Sequence, residues 1–115
     1  QVVTLVEKDD AAVDVPNTPF VPDRFALRPP SPNPFNPATT VSFDLPHATR
    51  ADLVVYDLRG RCVRELARDE TFAPGRHSRK WDGRDELGRT VAAGVYLIRI
   101  RTRTDEAAHP VVLVK

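Results

Sequence analysis

The sequence predicts an all-β domain, a small antiparallel β-sandwich of about seven strands preceded by an extended N-terminal tail. Two observations predict this class. Short apolar runs alternate with polar residues at a period of two, and turn-forming residues separate them at short intervals. In addition, eleven prolines and five glycines interrupt the 115 residues, so that no window keeps a helical pattern.

Length and composition are those of one soluble domain. The chain has a mass of 12.8 kDa and is 41% hydrophobic and 29% charged, which suffices for a modest core. Its apolar runs are shorter than the ~20 residues that a membrane span needs. The formal net charge of +1 gives no bulk field to attract nucleic acid or anionic lipid. Partners are therefore not selected by net charge, and we expect neither nucleic acid nor a membrane span.

Seven stretches carry the strand pattern. The clearest places Val41, Phe43 and Leu45 on one face, and Gly60 closes a later strand with a turn that predicts a hairpin. In chain order the predicted strands are RFALRP, ATTVSFDLP, ADLVVYDLRG, RCVREL, PGRHSRKWDG, AAGVYLIRIRT and VVLVK.

The inward faces of these strands define a predicted core. Trp81, at a strand end before a turn, is expected to be its central aromatic residue, with an indole N–H that needs a partner. A sugar-stacking platform is the alternative interpretation of Trp81. The single cysteine, Cys62, is expected to be a small buried apolar side chain. The core should include Phe43, Leu53, Val55, Trp81, Tyr96 and Ile98.

Residues 1–23 are predicted to form an extended strand and a proline-rich linker, and residues 24–115 the sandwich. The opening QVVTLVE contains four strand-forming residues with no local packing partner, followed by an acidic patch and prolines. Such a segment can add to a sheet edge of its own domain or of a neighbour. We favour the neighbour, with intermolecular sheet contacts through Val2, Val3, Leu5 and Val6.

Residues 31–37, SPNPFNP, which we call the latch, precede the first predicted core strand. The prolines are expected to hold the latch extended, while Asn33 and Asn36 fold onto nearby backbone amides as Asx-turns. Phe35 is its single large apolar residue and should close the edge of the sandwich. The alternative is a docking epitope, which would require the latch to be exposed.

The turn WDGRDELG could bind calcium, because Asp82, Asp85 and Glu86 offer carboxylate oxygens. It lacks the ordered ligand spacing of a helix-loop-helix calcium site. Asx-turns and a glycine at positive φ, here Gly88, are the more ordinary chemistry of such a turn. We therefore expect no metal and no cofactor.

Catalytic motifs are not evident, and we expect no enzymatic activity. The serines lie in no nucleophile motif, and the glycines form no phosphate-binding loop before a helix. A deep pocket joining His77 to a carboxylate would overturn this expectation. The candidates considered are His47, His77, His109, Ser31, Ser42 and Ser78.

A family resemblance extends over residues 24–115. The succession PNPFNPATTVSFDLP, VVYDLRGRCVREL and PGRHSRKWDGRDELGRTVAAGVYLIRI, with a terminal strand ending in lysine, resembles the C-terminal sorting domains of the type IX secretion system. It is equally similar to the immunoglobulin-like domain of flagellar hook-capping proteins. The resemblance implies an immunoglobulin-like fold, a secreted or bacterial cell-surface location, and secretion machinery as partner.

Two functions of different classes follow. The chain could be a sorting and anchoring module, in which the terminal strand with Val112 and Leu113 completes a sheet whose edge would otherwise be exposed. Alternatively it could be a subunit of an extracellular filament or other homo-oligomer, assembled through the N-terminal strand. The absence of methionine predicts that Gln1 arose by processing or by excision from a longer protein.

Overall fold

The structure is a computed structural model that describes residues 20–115, and within that range the chain forms seven β-strands and no helix. The strands TTVSFDL and GVYLIRIRT follow the predicted alternation of apolar and polar residues, and both are rich in β-branched residues. The strands are β1 (Ala26–Leu27), β2 (Thr39–Leu45), β3 (Thr49–Tyr56), β4 (Cys62–Phe72), β5 (Gly75–Trp81), β6 (Gly94–Thr102) and β7 (Glu106–Leu113).

The strands form two antiparallel sheets. One has three strands in the order β1-β2-β5, and the other has four in the order β4-β3-β6-β7. Consecutive strands β3 and β4 form the predicted hairpin, and β6 and β7 form another. Strand β5 returns to β2, where Leu45 faces Gly75 and Thr39 faces Trp81. The prediction of an all-β antiparallel sandwich of about seven strands is confirmed.

The core lies between the two sheets and is built from the inward-facing side chains that the alternation predicts. Trp81, Phe43, Leu53, Val55 and Ile98 are completely buried. All six residues predicted for the core belong to it, since Tyr96 is 8% exposed. Further buried members are Phe35, Val41, Leu45, Ala51, Ala67, Phe72, Ile100, Val111 and Leu113.

Two turns with the same sequence pattern, Asp-x-x-Gly-Arg, have the same geometry. In each, the aspartate carboxylate accepts hydrogen bonds from the backbone amides two and four residues later and pairs with the arginine. The glycines, Gly60 and Gly88, have φ of 83° and 79°, a conformation that other residues rarely adopt. The pattern therefore defines the turns Asp57–Arg61 and Asp85–Arg89 from local sequence alone.

Charged side chains cover the open side of the sandwich, where β4 and β5 are edge strands. The backbone amide of Glu65 donates to the Glu86 carboxylate, and Arg79 pairs with Glu70 across the two sheets. Arg64 lies 3.2 Å from an oxygen of Asp82. Because these groups occupy the edge, they hinder pairing with another strand there.

Asp44 on β2 is a buried carboxylate, 3% exposed, that joins three segments of the three-stranded sheet. Arg76 on β5 donates to it at 2.7 Å, and Arg28, just after β1, donates at 2.7 Å. Hydrogen bonds first from Arg76 and then from Arg28 hold the pKa of Asp44 below its ordinary value of 3.8, against the opposing effect of burial. These charge-assisted bonds stabilise the folded state only while Asp44 is ionised.

Replacing Asp44 by asparagine should destabilise the domain by about 1–3 kcal/mol at neutral pH. The pKa is lowered on folding, so the stabilisation is fully present above the unfolded value of about 4 and is lost as the pH falls through the folded value. Urea midpoints measured against pH should therefore fall less steeply in acid for Asp44→Asn than for the parent. The control is Asp69→Asn, because Asp69 and its partner Arg50 are both about two-thirds exposed. Equal acid dependence of Asp44→Asn and parent would contradict the assignment.

Three details differ from the predicted elements. Cys62, expected to be buried, is exposed at the first position of β4. Strand β4 continues to Phe72, with a bulged register and Asp69 at φ 47°, and β7 begins at Glu106, before Pro110. Proline is tolerated there because β7 is an edge strand. Within residues 20–115 there is no helix long and apolar enough to cross a membrane.

Candidate functional site

The latch, residues 31–37, binds the end of the last strand. The backbone amide of Phe35 donates to the carbonyl of Val112 at 2.8 Å, and the amide of Val114 donates to the carbonyl of Phe35 at 3.0 Å. The Asn33 side chain accepts from the amide of Val112 at 3.0 Å and donates to the carbonyl of Pro110 at 3.3 Å. The latch therefore acts as a short parallel partner for the outer edge of β7.

Phe35 anchors this contact in the core. Its side chain is 1% exposed, and its ring centroid lies 5.3 Å from that of Trp81. Trp81 in turn packs edge-on against Tyr96 at 5.3 Å. The indole N–H of Trp81 donates to the carbonyl of Arg84 at 3.0 Å, which supplies the partner that a buried tryptophan needs. Leu113, 3% exposed, belongs to the same cluster.

The latch does not have the extended form and Asx-turns expected from its sequence. Residues 32–34 and 36–37 form bends, and the peptide bonds preceding Pro32, Pro34 and Pro37 are cis. Asn33 bonds with residues 77 and 79 positions away rather than with its own neighbours. Asn36 is exposed, and within the described residues its side chain makes no hydrogen bond.

The structure thus brings together five of the residues singled out from the sequence and leaves others apart. Asn36 lies at the surface beside the cluster. The proposed strand-donating residues Val2, Val3, Leu5 and Val6 lie outside the described residues, so their role stays a prediction. The residues brought together are Asn33, Phe35, Trp81, Val112 and Leu113.

Exposed apolar side chains surround the latch end of the sandwich, where β3 and β5 end and β6 begins. Leu58 and Leu87, in the two Asp-x-x-Gly-Arg turns, are 74% and 76% exposed. Val95 on β6 and Val114 after β7 are 41% and 43% exposed. Turn positions usually carry polar residues, so Leu58 and Leu87 stand out in the sequence as exposed apolar residues that strand periodicity does not identify.

Asp85 in the acidic turn and His77 on β5 are engaged in contacts that stabilise the fold. Both oxygens of Asp85 are occupied by backbone amides and Arg89, as a turn requires. Among the described residues no group of three or more His, Cys, Asp or Glu side chains is arranged to hold a metal ion. His77 bonds through Nε2 with the carbonyl of Ala73 at 2.8 Å and packs against Phe72. Trp81 is fully buried, so its face is closed to a sugar.

Residues 32–106 match the FlgD Ig-like domain family. The matched range begins in the latch and includes both Asp-x-x-Gly-Arg turns. Because the match covers more than half of the chain, the protein belongs to this family of immunoglobulin-like domains. A search of the curated proteins finds no match.

Three solved structures share the fold. Dimeric latent PorU from Porphyromonas gingivalis aligns with a TM-score of 0.64 and 20% identity over 83% of this chain and 10% of its own. PorZ, a surface component of the type IX secretion system of the same organism, aligns at 0.53 with 18% identity over 81% and 12%. FlgD from P. aeruginosa aligns at 0.51 with 26% identity over 65% and 57%. The chain thus spans about a tenth of PorU and PorZ.

Proposed function

We propose that the protein is a non-enzymatic sorting and anchoring module, exported to the cell surface by a type IX secretion system. The observation that carries the proposal is the closure of the last strand, β7, by the latch through Phe35 and Asn33. This closure holds the end of β7 against the folded domain. The likeness of the fold to PorU and PorZ supports the type IX assignment.

A binding role fits the side-chain chemistry better than a catalytic one. Asp44, the one buried carboxylate among residues 20–115, is neutralised by Arg76 on β5 and by Arg28 just after β1. Five cavities within residues 20–115 contain no pairing of a serine or cysteine nucleophile with a histidine base. The latch end of the domain instead carries four exposed apolar side chains, Leu58, Leu87, Val95 and Val114, which we call the apolar rim. Export machinery would recognise this apolar rim together with β7.

Export of a reporter tests the proposal. The full chain, fused behind a periplasmic reporter in a host with a type IX system, should carry the reporter to the surface. Removing residues 111–115 should abolish export, because it exposes the edge of β6 at residues 94–96 and removes the part of β7 that the latch holds. Surface reporter is measured by protease accessibility on intact cells.

A matched surface variant separates recognition from general damage. Arg59→Ala changes an exposed turn residue outside the latch and should leave export unchanged. Leu58→Ser with Leu87→Ser keeps the backbone of the turns and should reduce export if the apolar rim is recognised. Export that persists without residues 111–115 would reject the sorting function.

A further inference from the structure

A groove crosses the end of the sandwich opposite the latch, where β3 begins and β6 ends. Its larger part, about 440 Å³, is lined by three arginines, Arg50, Arg101 and Arg103, together with Asp52 and Asp69. The adjoining part, about 250 Å³, is lined by apolar and small side chains together with His47, Arg103 and Asp105. The two parts share residues 48–49 and 102–103 and form one continuous surface.

The carboxylates of the groove leave its arginines largely available. Asp52 accepts a hydrogen bond from the backbone amide of Asp69 at 2.6 Å. Asp69 pairs with Arg50 at 3.0 Å in a solvated ion pair in which both side chains are about two-thirds exposed. Among residues 20–115, the ion-pair contact of Arg101 is a 3.9 Å approach to Glu106. The larger part of the groove thus carries three arginines against two aspartates, a net charge of +1, and adjoins a more apolar part. This combination suits an acidic peptide containing aliphatic residues.

The chain carries such a peptide just ahead of the described residues. Residues 1–19 contain four acidic residues and one lysine, a net charge of −3, which leaves +4 on residues 20–115. All four acidic residues lie between positions 7 and 14, and Val13 and Val15 flank the last of them.

Phe20, the first residue that the structure describes, lies at the same end of the sandwich as the groove. Arg76 stacks on the ring of Phe20 at 4.9 Å, at the end of the sandwich where Gly75 faces Leu45. Leu45 lines the apolar part of the groove. The six residues from Asp14 to Phe20 span up to roughly 20 Å, and the two sheets are about 10 Å apart. Residues 7–14 can therefore cross from the three-stranded sheet to the arginines.

We infer that residues 7–14 dock in cis in this groove, with Asp9, Asp10 and Asp14 on the arginines and Val13 against the apolar part. The short tether raises the effective concentration of the peptide to the mM range, so that modest ion pairs suffice to hold it. The inference rests on charge, reach and groove chemistry and is independent of the proposed function.

A spin label placed within the acidic peptide of the full chain tests the inference. Cys62→Ser removes the single cysteine, which is exposed, and Ala12→Cys supplies the labelling site. In ¹⁵N-labelled protein, the amides of residues 48–52 and 101–103 should broaden several-fold more than those of the turn Asp57–Arg61 at the far end. The broadening should vanish at high salt, since exposed ion pairs are screened.

Charge reversal distinguishes a direct contact from proximity. Arg101→Glu with Arg103→Glu should abolish the selective broadening, and adding Asp9→Lys with Asp10→Lys should restore it. The matched control, Arg59→Glu with Lys80→Glu, makes the same change of charge away from the groove and should keep the broadening. Uniform broadening, or selective broadening that survives the reversal in the groove, would overturn the inference.

A mixing experiment tests whether docking is in cis. Spin-labelled chain at natural isotopic abundance is mixed with ¹⁵N-labelled chain that carries no spin label. Unchanged groove amides in the mixture support docking within one molecule. Broadening of residues 48–52 in the mixture would show docking onto a neighbour and would overturn the cis assignment.

Discussion

Trp81→Ala should destabilise the domain by about 3–5 kcal/mol, a large share of the stability that a domain of this size usually has. Trp81 is completely buried and joins Phe35 on the latch to Tyr96 on β6. Its removal leaves a cavity between the two sheets and deprives the carbonyl of Arg84 of its donor. Chemical denaturation gives the free energy of unfolding and its midpoint.

Two control variants show whether the loss of stability in Trp81→Ala is specific to the buried ring. Trp81→Phe retains most of the buried ring and should cost clearly less than Trp81→Ala. Leu87→Ala removes a side chain that is 76% exposed and should change the midpoint little. If Trp81→Ala unfolds at the denaturant midpoint of the parent, the packing of both sheets around this residue is wrong.

Phe35→Ala is expected to have an effect of similar size, about 3–5 kcal/mol, although Phe35 belongs to no regular strand. The ring anchors the latch, and the latch carries the backbone bonds to Val112 and Val114. We therefore expect Phe35→Ala to accelerate hydrogen exchange at the amide of Val114 more than at the β3 amides, relative to the parent. This effect comes in addition to the loss of stability.

The matched variant for Phe35 is Phe35→Leu, which keeps an apolar side chain and should retain much of the stability and the protection of Val114. Phe35→Ala tests the latch as a structural unit because it removes no backbone donor. An unchanged denaturation midpoint, or exchange that increases equally in every strand, would show that the latch does not hold β7.

Local sequence patterns predicted most of the strands and turns correctly. Strand alternation and turn chemistry depend only on residues that are close together in the sequence. The alternation at Val41, Phe43 and Leu45 fixed which face of β2 is buried. The Asp-x-x-Gly-Arg pattern contains every donor and acceptor of its turn, as Asp57 and Asp85 show. Cys62 is the instructive exception. Cysteine is among the residue types most often buried, which predicted a buried Cys62. Cys62 is exposed because it lies at the start of an edge strand.

The candidate site was predictable in its members but not in its connections. Phe35 and Trp81 are recognisable as large apolar residues in a polar context, yet their contact joins positions distant in sequence. The bonds of Asn33 to β7 and those of Asp44 to Arg28 and Arg76 also have no local signature.

By itself, the sequence determined an all-β chain, the approximate strands, their inward faces and the principal core residues, because strand periodicity and turn chemistry are local properties. Only the tertiary structure decided that β5 returns to β2, that the latch pairs with β7, and that Arg28 and Arg76 share Asp44. Each of these is a contact between segments 16 to 79 residues apart. Such partners are selected by the packing of two sheets around one core, which no single stretch of sequence contains.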